Sequence, residues 1–154
     1  MHLNQDFEDL IRHLNAAKVK YLVVGAYAVI IHSFPRYTKD IDFLVQPESE
    51  NAQKVYDALK SFGAPIQELS LKDLCDPDMV YQMGVEPNRA DIIMSVKGAS
   101  FEELWKNKKE FQYGNEKIFV VGLEDLIKIK KMAGRPKDLQ DAEILLQAAK
   151  MSKK

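Results

Sequence analysis

Two carboxylates separated by one apolar residue, Asp40-Ile41-Asp42, run into Phe43-Leu44-Val45. Alternate side chains of a β-strand share a face, so Asp40 and Asp42 are expected to project together while Ile41 and Phe43 enter the core. Adjacent carboxylates repel unless a cation lies between them. Hard oxygen donors suit Mg²⁺, with Mn²⁺ as the alternative, and the pair reads as a metal and nucleoside-triphosphate site. A third lone carboxylate, Asp91, interrupts the apolar run from Ala90 to Met94. If its strand lies beside that of Asp40 and Asp42, the three are expected to bind two metals for phosphoryl or nucleotidyl transfer, with Asp91 also the base for an acceptor hydroxyl. For Asp91 alone the plainer account is a strand-end aspartate held by Arg89 or a backbone amide.

Gly25 stands between the β-prone run Tyr21-Leu22-Val23-Val24 and an apolar stretch over residues 26–31. A glycine at the start of a helix lets backbone amides approach a phosphate, which makes Gly25 and Ala26 candidates for a nucleotide-binding turn; the alternative is a simple tight turn. Arg36 and Lys39 are candidate phosphate contacts, weighed against pairing with nearby acids. Neither a Gly-x-x-x-x-Gly-Lys-Ser/Thr loop nor a Gly-x-Gly-x-x-Gly fingerprint is present, so the sequence supports neither a P-loop enzyme nor a dinucleotide-binding Rossmann domain. His2, His13 and His32 show no metal-ligand spacing. Cys75, beside Asp73, Asp76 and Asp78, lacks the electropositive setting of a reactive thiolate. Tyr21, Tyr27, Phe34 and Tyr37 surround the carboxylates in sequence, and core packing is their default role ahead of stacking on a base.

The elements that must position these residues follow from periodicity. Phe7, Leu10, Ile11 and Leu14 mark an amphipathic first helix that packs on a sheet. Residues 21–24 read as a strand, 26–31 as a buried helix ended by Pro35, and 39–45 as a second strand. Pro47 and Glu48 open a helix through about residue 59 that stops before Gly63. Strands are expected over 79–83 and 89–96, a short helix over 101–105, and a hairpin of 110–113 with 117–121 around Gly114-Asn115. Helices over 123–132 and 137–150 close the chain, separated by Gly134-Arg135-Pro136. The expected fold class is α/β (α+β): a mixed β-sheet flanked by helices, with a C-terminal helical pair, in one domain over residues 1–154.

With 46% hydrophobic and 29% charged residues among 154, the chain can bury a substantial core. No apolar run is long enough to span a bilayer, and no basic segment followed by an apolar stretch opens the sequence, so a cytosolic location without membrane partners is expected. The net charge of −1 demands no nucleic acid. Its distribution is uneven: residues 1–100 carry 10 Lys or Arg against 14 Asp or Glu, and residues 101–154 carry 12 against 9. A solvated helix face accounts for that excess; the functional alternative is a cationic wall facing a triphosphate or an RNA acceptor.

Strand, glycine turn, helix, Asp-x-Asp and a later lone Asp occur here in the order shown by the DNA polymerase beta-like nucleotidyltransferase superfamily. More closely, Gly25-Ala26-Tyr27-Ala28, Arg36-x-Thr38-x-Asp40-Ile41-Asp42 and Lys130-Lys131-Met132-Ala133-Gly134-Arg135-Pro136-Lys137-Asp138 resemble the small bacterial nucleotidyltransferases related to abortive-infection and MenT-type toxins. That resemblance, over roughly residues 5–148, implies a nucleotidyltransferase fold and Mg²⁺-dependent transfer of a nucleoside monophosphate from an NTP, such as ATP, to a hydroxyl, with release of pyrophosphate. It implies that Asp40, Asp42 and Asp91 are catalytic and metal-binding, that Gly25 belongs to the phosphate turn, that Lys130 reaches the triphosphate, and that Asp138 matches the acidic position after it. The bland account of Lys130, Arg135 and Lys137 is that they serve a helix end and an exposed turn. The family often carries Gly or Ser after the first glycine, whereas Ala26 here offers no hydroxyl. The acceptor stays open among a tRNA end, a protein hydroxyl and a small molecule. A second copy or an antitoxin is a candidate partner. The competing function is a catalytically weak nucleotide-binding or protein-interaction module on the same fold, compatible with a toxin–antitoxin setting.

Overall fold

The computed structural model describes residues 4–34, 38, 40–84 and 88–152. Helix α1 (Gln5–Ala16) starts where the Asn4 side chain accepts hydrogen bonds from the amides of Asp6 and Phe7, and it buries Phe7, Leu10, Ile11 and Leu14. Strand β1 (Tyr21–Val24), buried throughout, passes directly into α2 (Gly25–His32). Strand β2 (Asp40–Val45) buries Ile41 and Phe43 and leaves Asp40 and Asp42 partly exposed, as alternation requires. Helix α3 (Ser49–Phe62) continues three residues past the expected end. It stops at Gly63, whose φ of 96° is open to glycine and whose amide returns to the Leu59 carbonyl.

Strands β3 (Val80–Met83) and β4 (Arg89–Ile93) follow, then α4 (Phe101–Lys106), the hairpin of β5 (Lys109–Tyr113) and β6 (Glu116–Val120), and the helices α5 (Leu123–Ala133) and α6 (Pro136–Ser152). Strand β4 is shorter than its apolar sequence suggests. The Ser95 hydroxyl donates to the Pro77 carbonyl and Val96 bridges to Ala99, which turns the chain out of the sheet.

The six strands form one mixed sheet in the order β3-β4-β2-β1-β6-β5. Strand β2 is antiparallel to β1 and parallel to β4, while β1 is parallel to β6. This order brings the end of β1 and the starts of β2 and β4 to one end of the sheet, where all three candidate carboxylates lie. Helices α1 and α3 pack together, and α5 and α6 pack on each other and against α2. Tyr21 is fully buried, edge-on to Phe43 and Phe119, and ties the central strands into one core. Among the described residues no helix is long and apolar enough to cross a membrane.

Candidate active site

The β1–α2 junction approaches Asp42 at very close range. Gly25 has a φ of 70°, and a Cβ at this position would collide with Asp42 Oδ2. Glycine therefore satisfies two demands at once: a left-handed backbone and room for a carboxylate. Ala26 follows in the first turn of α2, half-buried, so this turn can offer a ligand its amides but no side-chain hydroxyl.

Asp42 is the cross-strand partner of Val24 on β1 and of Asp91 on β4, and Asp40 is the partner of Arg89. Parallel register thus sets the three carboxylates on one face. The Asp42 carboxyl is pushed up to about 6, first by burial, then by the charges of Asp91 and Asp40 and by its hydrogen bond with Asp91; the charge of Lys130 pulls it the other way. Arg89 grips Asp91 with both ends of its guanidinium, Nε to Oδ1 at 3.2 Å and Nη2 to Oδ2 at 3.2 Å. Its Nε also lies 3.9 Å from Asp40 Oδ1, a buried oxygen without a hydrogen bond among the described residues. The pairing of Asp91 with Arg89 and the convergence of Asp91 with Asp40 and Asp42 are thus both present.

The donor chemistry fits a hard divalent cation: oxygen ligands alone, burial and neighbouring carboxylate charge that together raise Asp42, and an orphaned oxygen on Asp40. As the side chains stand, no group of three His, Cys, Asp or Glu residues among the described ones is gathered to hold an ion. The Arg89 guanidinium sets positive charge beside Asp40 and Asp91, so a metal on these carboxylates would share them with that side chain.

Lys130 is buried on the inner side of α5, with 8% of its surface exposed. Its Nζ lies 3.5 Å from Asp138 Oδ1 and 3.2 Å from Asp141 Oδ2, which joins α5 to α6, and its charge reaches Asp42. Arg135 Nε donates to Asp138 Oδ2 at 2.7 Å. That bond, chiefly, holds the Asp138 carboxyl below its ordinary range against the opposing effect of burial, with the Lys130 charge helping. Sequence reasoning singled out Lys130 and Asp138 and missed Asp141. The available signal was the spacing of Asp138 and Asp141, which puts both on one face of α6.

Arg36, Lys39 and Tyr37 lie outside the described residues. Tyr21 and Tyr27 are core residues, the latter through a 2.9 Å hydroxyl contact with buried Tyr113, whereas Phe34 is 47% exposed beyond α2. His32 contacts the Val121 carbonyl at 2.7 Å and is held below its ordinary pKa by burial.

A family model described as "Nucleotidyltransferase of unknown function (DUF6036)" matches residues 1–151. No curated protein sequence matches the chain at a significant level. Among solved structures, the chain resembles lincomycin-bound LnuA, a lincosamide antibiotic adenylyltransferase, with a TM-score of 0.61 and 16% identity over 96% of this chain and 99% of that one. A protein from Thermotoga maritima gives a TM-score of 0.62 and 16% identity, over 95% and 96% of the two chains. The antibiotic-resistance factor ANT(2'')-Ia gives 0.60 and 10%, over 94% and 83%. At these identities the structural likeness is one of fold, which agrees with the mixed sheet and its flanking helices.

Proposed function

Because the chain belongs to the nucleotidyltransferase family whose model it matches, we propose that it transfers a nucleoside monophosphate from an NTP to an acceptor hydroxyl, using a divalent metal held by Asp40, Asp42 and Asp91. The observation that carries this reading is the shared register of Asp42 and Asp91 beside Gly25. In the reaction, the acceptor oxygen bonds to the α-phosphorus as the bond from that phosphorus to the bridging oxygen of pyrophosphate breaks. The hydroxyl proton passes to Asp91. Mg²⁺ or Mn²⁺, when bound, neutralises the triphosphate and the charge developing on the leaving pyrophosphate.

The chain's own residues divide the remaining work. Gly25 leaves space beside Asp42, and the first amides of α2 donate to phosphate oxygens. Ala26 contributes its N–H alone. Lys130 adds positive charge near Asp42 from a position steadied by Asp138 and Asp141, and Arg36 and Lys39 are assigned to the phosphates on their charge and their place in the sequence alone. The test is transfer from each α-³²P-labelled NTP, with Mg²⁺ or Mn²⁺, into RNA, protein and small-molecule extracts, beside Asp40→Ala/Asp42→Ala. Label that depends on the two aspartates supports the reading; label unchanged in the variant overturns the mechanism.

One observation favours a second reading, a nucleotide-binding module of low transfer activity: Arg89 already neutralises Asp91. NTP binding without pyrophosphate release across the same acceptors would select it.

A further inference from the structure

A groove of about 640 Å³ runs between α4, the loop before it and the outer side of α5. Through Lys106, Asn107, Asp125 and Lys128 it is continuous with a second depression of about 560 Å³. Six lysines line the two: Lys97, Lys106, Lys108, Lys109, Lys128 and Lys131. Three acids face them, and two are engaged locally. Glu103 Oε1 accepts from the Ser100 hydroxyl at 3.0 Å, and Asp125 Oδ2 accepts from the Asn107 amide at 3.1 Å. None of the six lysines forms an ion pair among the described residues. Lys108 instead lies 4.2 Å over the Trp105 ring.

The whole chain carries a charge of −1, so this local excess of cations is a feature of one surface and not of bulk composition. Ammonium groups without carboxylate partners, strung along two connected depressions, match a ligand whose negative charges repeat along its length. A single small anion would meet only a few of them. Lysine, a compact point charge on a flexible stem, suits phosphates that need no fixed pairing plane. Helix α5 links this surface to the carboxylates: Lys130 turns inward with its charge felt at Asp42, while Lys128 and Lys131 of the same helix are exposed in the groove.

We propose that the lysine-lined groove of α4 and α5 docks the sugar–phosphate backbone of an RNA, and that a ribose hydroxyl of this RNA is the acceptor. The inference rests on the transferase reading for its second half and on charge and shape alone for its first.

Binding is measured apart from chemistry, by fluorescence anisotropy of a labelled RNA hairpin with a single-stranded 3′ tail, on full-length Asp40→Ala/Asp42→Ala protein without NTP. The expected result is an affinity that falls steeply with salt. Adding Lys106→Glu, Lys128→Glu and Lys131→Glu should weaken binding at least about tenfold and lower the salt slope by about 0.7 for each phosphate no longer neutralised. An unchanged circular dichroism melt of the charge-reversal variant shows that it folds. Absence of RNA binding at low salt, or equal binding by the variant, overturns the groove. So does transfer onto protein or a small molecule that the lysine changes leave intact, an outcome that keeps the transferase reading. Lysine-dependent RNA binding without transfer to any acceptor supports the groove as an RNA surface and overturns the transferase reading.

Discussion

Asp42 of β2 and Asp91 of β4 are register partners on one rung of a parallel ladder, close enough that the charge of Asp91 helps to raise the Asp42 carboxyl. Two acids so placed are held together by a proton or by a cation, because two full negative charges at that separation repel. A residue slip in this register would turn Asp91 to the opposite face, so the pairing of β2 with β4 is itself what creates the site.

Burial of Asp42, together with the charges of Asp91 and Asp40, should be visible as pH-dependent stability. Asp42 has an ordinary value of 3.8 and a folded one of about 6, so between these values the folded chain binds more protons than the unfolded chain. Metal-free protein should therefore lose stability as pH rises through that window, and stay at the lower level above it. The contribution is about 3 kcal/mol, about 9 °C in Tm. Asp42→Asn should melt higher than the parent at neutral pH while losing transfer. A variant that melts at or below the parent would show that neither burial nor the neighbouring carboxylates penalise the Asp42 charge in the folded chain.

Arg89 is expected to compete with metal. Its guanidinium contacts both Asp91 and Asp40, so Arg89→Gln should bind Mn²⁺ about tenfold more tightly, equivalent to roughly 1.4 kcal/mol, in titration calorimetry without nucleotide. Equal or weaker binding would mean that the guanidinium does not occupy the metal's place.

Much of this arrangement is legible in the sequence, and the failures have physical causes. The strands Tyr21–Val24 and Asp40–Val45 announce themselves through β-prone buried runs and through alternation around the two aspartates. Met94 to Val96 looks equally strand-like, but a hydroxyl bond from Ser95 to Pro77 redirects it, a contact between segments that no local pattern encodes. The convergence of Asp91 on Asp42 depends on which strands become neighbours. Arg89 as counter-charge and Asp91 as a member of the triad are compatible with the same residues, and only the register shows them together. Asp141 reads as one more solvated helix acid until α5 packs on α6 and buries it beside Lys130.

Gly25→Ala separates space from backbone strain when set beside Gly63→Ala. Both glycines have positive φ, at 70° and 96°, and alanine in that region costs roughly 1–2 kcal/mol at either position. Only at Gly25 does the added methyl meet Asp42; at Gly63 it meets open space. Gly25→Ala should lose at least about a hundredfold in transfer rate, near 2.7 kcal/mol, whereas Gly63→Ala should lose stability and keep its rate. Similar rates in the two variants would remove Gly25 from the site.

The buried cluster that joins α5 to α6 gives a test in which charge and packing come apart. Lys130→Met leaves Asp138 to Arg135 but takes from Asp141 an ammonium 3.2 Å away, in a place where Asp141 has 1% of its surface exposed. Removing one member of a buried ion pair costs about 3–5 kcal/mol, because the other charge stays desolvated. Lys130→Met should therefore melt roughly 10 °C lower. Neutralising the acid as well, in Lys130→Met/Asp141→Asn, should restore more than half of that loss, since a neutral pair of similar size needs no counter-charge. Transfer should not return with stability, because the positive charge felt at Asp42 is still missing. If the double variant regains activity along with its melting temperature, Lys130 serves the helix pair alone and the triphosphate must find its cations elsewhere.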